Sequence, residues 1–141
     1  MPTQKIDQYD LIVIGSGPSG QKAALAAAKH RRRVALIEKN QVVGGACLHT
    51  GTIPSKTLRE AVVYFTGHAL HSVYGNAYRP KERIEPADLT FRVEHVIRSE
   101  LDVISSQMRR NNVDMYFGPA RFVGPHEIEV ETGQTRQTLL R

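Results

Sequence analysis

The sequence predicts an α/β fold: a β-turn-α-β unit, then a helical hairpin, then a small antiparallel meander. Three observations carry this. Tyr9–Ile14 and Arg33–Glu38 are short, nearly continuous apolar runs rich in β-branched residues, the pattern of strands buried on both faces of a parallel sheet. A glycine-rich turn and an alanine-rich stretch lie between them. After residue 52 come two amphipathic helical stripes, followed by three short strand-like runs.

Each element follows in order. Gly15-Ser16-Gly17-Pro18-Ser19-Gly20 reads as the turn, and Gln21 to His30 as a helix with small side chains on its packing face. The handedness rule for crossovers makes the unit right-handed and parallel. Residues 39–52 read as a glycine-rich loop. Pro54 fits the first turn of a helix. In that helix Leu58, Ala61, Val62, Phe65 and Ala69 recur at helical spacing. A polar, proline-punctuated connection from Gly75 to Pro86 leads to a second helix. Its stripe is Val93, Val96, Ile97, Leu101, Ile104 and Met108, and Asn111-Asn112 ends it. Val113–Phe117, Ala120–Val123 and Glu127–Val130 are split by Gly118-Pro119 and Gly124-Pro125, and are expected to form the meander. Residues 134–141 suggest no closing element.

Composition narrows the function classes. A chain of 141 residues is about one domain, and 40% hydrophobic with 23% charged residues is ordinary for a soluble globular protein. No apolar run approaches the roughly 20 residues that cross a bilayer, so no membrane partner is expected. Residues 1–10 lack the apolar core of a signal peptide, which makes a cytoplasmic location the expectation. The net charge is +5, with Lys29 to Arg33 as its dense cluster. That cluster falls where a helix C-terminus favours cations, and is read as a solvated helix end. Without an aromatic platform or motif, no nucleic-acid partner is expected. His30, His68, His71, His95 and His126 have no metal-ligand spacing with Cys or carboxylates, so no metal site is expected.

The motif that carries chemistry is Gly15-x-Gly17-x-x-Gly20, set between a buried strand and a helix and trailed by Glu38 at the end of the next strand. Gly15 makes the tight turn, Gly17 lets backbone approach a pyrophosphate, and Gly20 allows the helix to pack closely on the strand. The helix N-terminus offers unpaired N–H groups to phosphates. Glu38 can accept both hydroxyls of an adenosine ribose and would repel a 2′-phosphate, so the site suits FAD or NAD over NADP. Gly44-Gly45 and Gly51 give a loop that can lie flat against a ligand. Pro54 starts a helix whose first turn aims Ser55 and Lys56 back at that loop. A lysine there places positive charge beside a flavin's reactive edge, favouring the anionic reduced form. His49 is read as a loop histidine in preference to a catalytic base.

With these residues in place, the chain resembles the FAD-binding N-terminal segment of the class I pyridine nucleotide-disulfide oxidoreductases, from Tyr9 to about Val130. The specific part is Gly44 to Ala61, where His49-Thr50-Gly51-Thr52-Ile53-Pro54-Ser55-Lys56 and Leu58-Arg59-Glu60-Ala61 are similar to the transhydrogenase branch. Dithiol members carry a second cysteine five positions after the one that Cys47 matches, and this chain has Thr52 there. Cys47 is its single cysteine, so no internal disulfide can form. The resemblance implies a Rossmann-type domain with FAD as cofactor, and NAD(P) as substrate of a complete enzyme. FAD contacts are implied for Gly15, Gly17, Pro18, Gly20, Glu38, Lys39, Asn40, Gln41, Val42, Val43, Gly44, Gly45, Ala46, Cys47, Lys56 and Ala120. Ala120 would supply a backbone contact at the adenine end, and Lys56, Cys47 and Thr52 would stand beside the flavin. The implied reaction is reversible hydride transfer between NADPH and NAD+, with no thiol intermediate.

Members of the family run to several hundred residues, with a second glycine-rich unit for NAD(P), a later segment that closes the FAD site, and a C-terminal dimerisation domain. Residues 1–141 match none of these. They are expected to be the N-terminal part of an FAD-binding domain, truncated or split from the rest. Taken alone, such a chain is expected to bind FAD weakly at best, to lack turnover, and to expose sheet edges and apolar surface. NADPH, NAD+ and homo-oligomer formation would require the missing domains. The alternative is a non-catalytic FAD- or nucleotide-binding module that pairs with a separate chain. A dithiol reductase with an altered centre is disfavoured by Thr52.

Overall fold

The computed structural model describes residues 6–67, 75, 83–132 and 135–140. In chain order the elements are β1 (Ile6–Gln8), β2 (Leu11–Ile14), α1 (Pro18–Lys29), β3 (Val34–Glu38), α2 (Gly45–His49) and α3 (Thr52–Phe65). Then come α4 (Pro86–Arg110), β4 (Asp114–Phe117), β5 (Ala120–Gly124), β6 (Glu127–Thr132) and β7 (Thr135–Leu140). They divide into two compact units, residues 1–45 with 101–141, and residues 46–100.

The first unit holds two sheets. One is parallel, in the order β2-β3-β4, with Leu11 opposite Val34 and Ala35 opposite Asp114. Its central strand β3 is buried at every residue, as its unbroken Val-Ala-Leu-Ile run requires. Ala35 and Ile37 join Tyr9, Ile128, Val130 and Leu139 in one apolar cluster shared by both sheets. Val34 and Leu36 alternate to the other face, and α1 packs on β2 and β3. The second sheet has the order β1-β7-β6-β5, with β1 parallel to β7 and the other pairs antiparallel.

Several sequence expectations shift. Asp114–Phe117 is not part of the meander: it follows the long crossover helix α4 and pairs parallel with β3, so the meander is β5-β6-β7. Residues 135–140 do supply a closing strand, contrary to expectation. Thr-Arg-Gln-Thr carries no apolar signal, and the strand is specified instead by backbone pairing with β1 on one side and β6 on the other. The short strand β1 likewise has no apolar run to mark it and is set by its pairing with β7. The glycine-rich loop contains the five-residue helix α2. Helix α1 begins at Pro18, where a missing N–H costs nothing, and Pro54 is the third residue of α3. Asn112 ends α4 in the left-handed region, φ 53°. His68, His71, Ala69 and most of the 75–86 connection lie outside the described residues.

The second unit is helical. Thr57 and Ala61 are buried on α3, while Tyr64 and Phe91 are 60% and 73% exposed and line a cleft of about 460 Å³ with Ala61 and Phe65. Glu94 and Arg98 form an i,i+4 ion pair at 3.5 Å on α4. No helix among the described residues is long and apolar enough to cross a membrane.

Candidate functional site

The carboxyl edge of the parallel sheet gathers the glycine-rich turn, the end of β3 and the turn after β4. Gly15 takes φ +100° and donates its N–H to the Ile37 carbonyl at 2.7 Å. Gly118 donates to the Glu38 carbonyl at 2.8 Å. In open α/β sheets this edge is where ligands bind. Helix α1 starts at once, with Gly17 as its N-cap, no capping side chain and no acid in its first turn. Its first N–H groups and positive dipole end are therefore left for an anion.

Gly15 and Gly17 border open space: a Cβ at either position would meet nothing within 4 Å among the described residues. A cradle bounded by bare backbone at a helix N-terminus fits a pyrophosphate. Gly20 has the opposite environment, since a Cβ there would overlap the Gly15 carbonyl and crowd Val13. Gly15 thus makes the turn, Gly20 packs the helix against it, and Gly17 leaves its side of the turn open.

Glu38 is buried at the end of β3, and three donors hold its carboxylate. Oε2 accepts the Ser16 backbone N–H at 3.0 Å and the Ser16 hydroxyl at 2.5 Å, and Oε1 accepts the Asn40 N–H at 3.0 Å. Burial by itself would raise the Glu38 pKa. Hydrogen bonds from Ser16 and Asn40 outweigh burial and hold the carboxyl below its ordinary range. Oε1 retains a lone pair for a further donor. Ser16 carries no role in the sequence reading. Its identity as the middle residue of Gly15-Ser16-Gly17 is the only local signal, because its partners arrive from 22 and 28 positions away.

The second glycine-rich loop returns to this point. Gly44 donates its N–H to Ser16 Oγ at 3.0 Å, and Gly45 takes φ +63°, where an added Cβ would stand 3.0 Å from the Gly17 Cα. Val43 and Gly44 are buried, whereas Lys39, Asn40, Gln41 and Val42 are exposed. Ala120 opens β5 opposite Val130, half-buried against the apolar cluster. Pro18 is exposed as the first residue of α1.

Ala46, Cys47, Thr52 and Lys56 fall in the second unit. Cys47 is half-buried on α2. Thr52 is the exposed first residue of α3, and Lys56 is exposed one turn further on. The Ser55 hydroxyl donates back to the Gly51 carbonyl at 2.9 Å and the Thr52 carbonyl at 3.2 Å, within its own helix end. A Cβ on Gly51 would lie 2.9 Å from the Ala46 carbonyl, so glycine lets α3 start directly against α2. Among the described residues no three His, Cys, Asp or Glu side chains gather as a metal site. The basic cluster is partly tied down: Arg33 stacks over the Tyr9 ring at 4.6 Å and reaches Asp7 at 3.7 Å and Asp114 at 3.9 Å.

A βαβ unit with an open glycine turn, an uncapped helix N-terminus and an acid at the next strand end defines a dinucleotide-binding fold. Residues 9–139 match the family described as pyridine nucleotide-disulphide oxidoreductase, and the chain belongs to that family. It is 54% identical over 130 residues to the soluble pyridine nucleotide transhydrogenase of Mycobacterium tuberculosis (strain ATCC 25177 / H37Ra), covering 92% of this chain and 28% of that protein. To the soluble pyridine nucleotide transhydrogenase of Hahella chejuensis it is 40% identical over 133 residues, covering 94% and 28%. Among solved structures, the Cu(II) complex of the HOCl-induced flavoprotein disulfide reductase RclA from Escherichia coli superposes with a TM-score of 0.74. That match has 24% identity and covers 95% of this chain and 27% of the other, a likeness of fold. The chain is homologous to the N-terminal, FAD-binding part of soluble transhydrogenases and spans 28% of the length of these curated relatives.

Proposed function

We propose that this chain is the FAD-binding portion of an enzyme that passes hydride reversibly between NADPH and NAD+ in the cytoplasm. The observation that carries the reading is the carboxyl edge of β2-β3-β4, where open backbone at Gly15 and Gly17 meets the α1 N-terminus and the fixed carboxylate of Glu38. Bound FAD supplies the chemistry that accepts and returns hydride. The residues of this chain do the rest of the work assigned to them. The first N–H groups of α1 hold the pyrophosphate beside Pro18 and Gly20. Glu38 accepts a ribose hydroxyl and excludes a 2′-phosphate by charge. The loop Lys39–Cys47 lines the cofactor, and the Ala120 backbone meets its adenine end.

Lys56 places positive charge near the flavin, and Thr52 leaves Cys47 without a thiol partner, so the reaction proceeds without a disulfide. That last point, with 54% identity to a transhydrogenase, supports hydride exchange over dithiol reduction. NAD(P) binding and dimer formation belong, in this proposal, to the part of the relatives that the chain does not span.

The test is gel filtration of the chain with FAD, followed by visible absorbance of the protein peak. Co-eluting flavin supports the reading; a folded chain that stays flavin-free even when the remaining segment of the Mycobacterium tuberculosis relative is supplied sinks it. A second reading, a non-catalytic FAD module that serves a partner chain, is favoured by the 28% span. A flavin-loaded chain that never oxidises NADPH, even when mixed with the remaining segment of the Mycobacterium tuberculosis relative, would select it.

A further inference from the structure

We propose that Ser16 is a positioning residue of the adenosine-ribose site, its hydroxyl fixing both the Glu38 carboxylate and the loop that carries Gly44. The inference rests on the reading above, in which Glu38 receives the ribose.

The geometry is specific to one side chain. Ser16 is fully buried. Its hydroxyl donates to Glu38 Oε2 at 2.5 Å, and the same oxygen accepts the Gly44 N–H at 3.0 Å. Its backbone N–H also donates to Oε2, at 3.0 Å. One residue therefore joins three segments: the turn after β2, the end of β3, and the returning glycine loop that packs Gly45 on Gly17. Two donors on Oε2 saturate that oxygen and leave Oε1 as the acceptor for an incoming hydroxyl. Without the hydroxyl, the carboxylate loses one of the three bonds that fix its rotation, and the buried Gly44 N–H loses its acceptor. A ribose would then meet a carboxylate in several orientations, and the loop beside it would open.

The variants are Ser16→Ala and, as a near-isosteric control with a weaker donor, Ser16→Cys. Two measurements need no ligand. Amide hydrogen exchange at Gly44 should speed up roughly tenfold in Ser16→Ala, the loss of one buried hydrogen bond, while exchange at Leu36 in β3 stays unchanged. The Glu38 carboxyl, followed by carbon NMR against pH, should titrate at higher pH in Ser16→Ala than in the wild-type chain. The third measurement is binding of ADP and of 2′-deoxy-ADP. The wild-type chain should favour ADP, and Ser16→Ala should weaken ADP roughly tenfold and narrow the preference, with Ser16→Cys between them. A wild-type chain that binds neither nucleotide, or both equally, overturns the ribose reading and the proposal with it. A discriminating wild-type chain alongside a Ser16→Ala variant with unchanged Gly44 exchange and unchanged preference overturns the proposal alone.

Discussion

Gly20 lies so close beneath Gly15 that any Cβ on the helix residue would overlap the carbonyl oxygen of the turn residue. Gly17, between them, faces open space. Two substitutions of equal size should therefore part company. Gly20→Ala is expected to destabilise the chain by about 3 kcal/mol or more, because neither backbone can yield without breaking the strand-to-helix turn. Gly17→Ala, at a backbone conformation any residue can adopt, should leave urea unfolding within about 0.5 kcal/mol of wild type while reducing FAD retention at least tenfold. Equal stability losses in the two variants would contradict this division of roles.

Acid should act through Glu38. Its carboxyl is held below the ordinary value of 4.5, so the folded state binds its proton less readily than the unfolded state does. The resulting stabilisation is complete above about pH 5 and is lost as pH falls from the ordinary value through the folded one. Glu38→Gln should unfold more easily at neutral pH, by about 1–3 kcal/mol, since an amide cannot accept from all three donors. Below pH 4 its unfolding midpoint should converge on that of wild type.

Alkali should act through Tyr9. Its hydroxyl donates to Asp114 at 2.9 Å and shares a 2.6 Å hydrogen bond with Tyr116. Burial, then those two partners, push its pKa up from the ordinary value of 10.0. For a raised pKa the stabilisation is intact below pH 10 and is lost as pH rises beyond it, at up to about 1.4 kcal/mol per pH unit. Tyr9→Phe should cost about 1–2 kcal/mol near neutrality and flatten the decline above pH 10. Tyr116 is raised as well, chiefly by burial. Absorbance at the tyrosinate band should accordingly show these two tyrosines, of five in the chain, ionising at higher pH in the folded protein than in the unfolded one.

The strand that sequence patterning misses should prove essential. Leu139 is fully buried in β7 among Tyr9, Ile128 and Val130. Leu139→Ala is expected to cost about 2–5 kcal/mol, whereas Phe122→Ala, at 73% exposure on β5, should change stability by about 0.5 kcal/mol. Thermal melts of both variants check the contrast.

The β2-turn-α1-β3 unit was legible because each part is local: Leu11–Ile14 and Val34–Ile37 are apolar throughout, and glycine spacing marks the turn between them. Glu38 was legible for the same reason, as the first acid after a buried run. Ser16 was not, since a serine between two glycines looks like any turn residue until Gly44 returns to bond it. β7 was not, since its register comes from β1 and β6 and its own residues are mostly polar. Which sheet Asp114–Phe117 joins is not legible, because a short strand does not declare which neighbour it will take. The loop around Gly45–His49 hid a helix because its glycines outweigh the Ala-Cys-Leu signal.

The pairing of β1 with β7 has a consequence for how the molecule is made. Asp7 and Gln137, joined by a 2.9 Å hydrogen bond, are 130 positions apart. Closing so long a loop is slow, and a sheet that depends on it has high contact order. During synthesis, Tyr9, Ala35 and Ile37 are made early but lack their Leu139 partner until nearly the last described residue has left the ribosome. For that interval an apolar face and a strand edge stand open to other chains. A nascent chain halted before residue 135 would be a client for chaperones, and this late-arriving strand is what releases it.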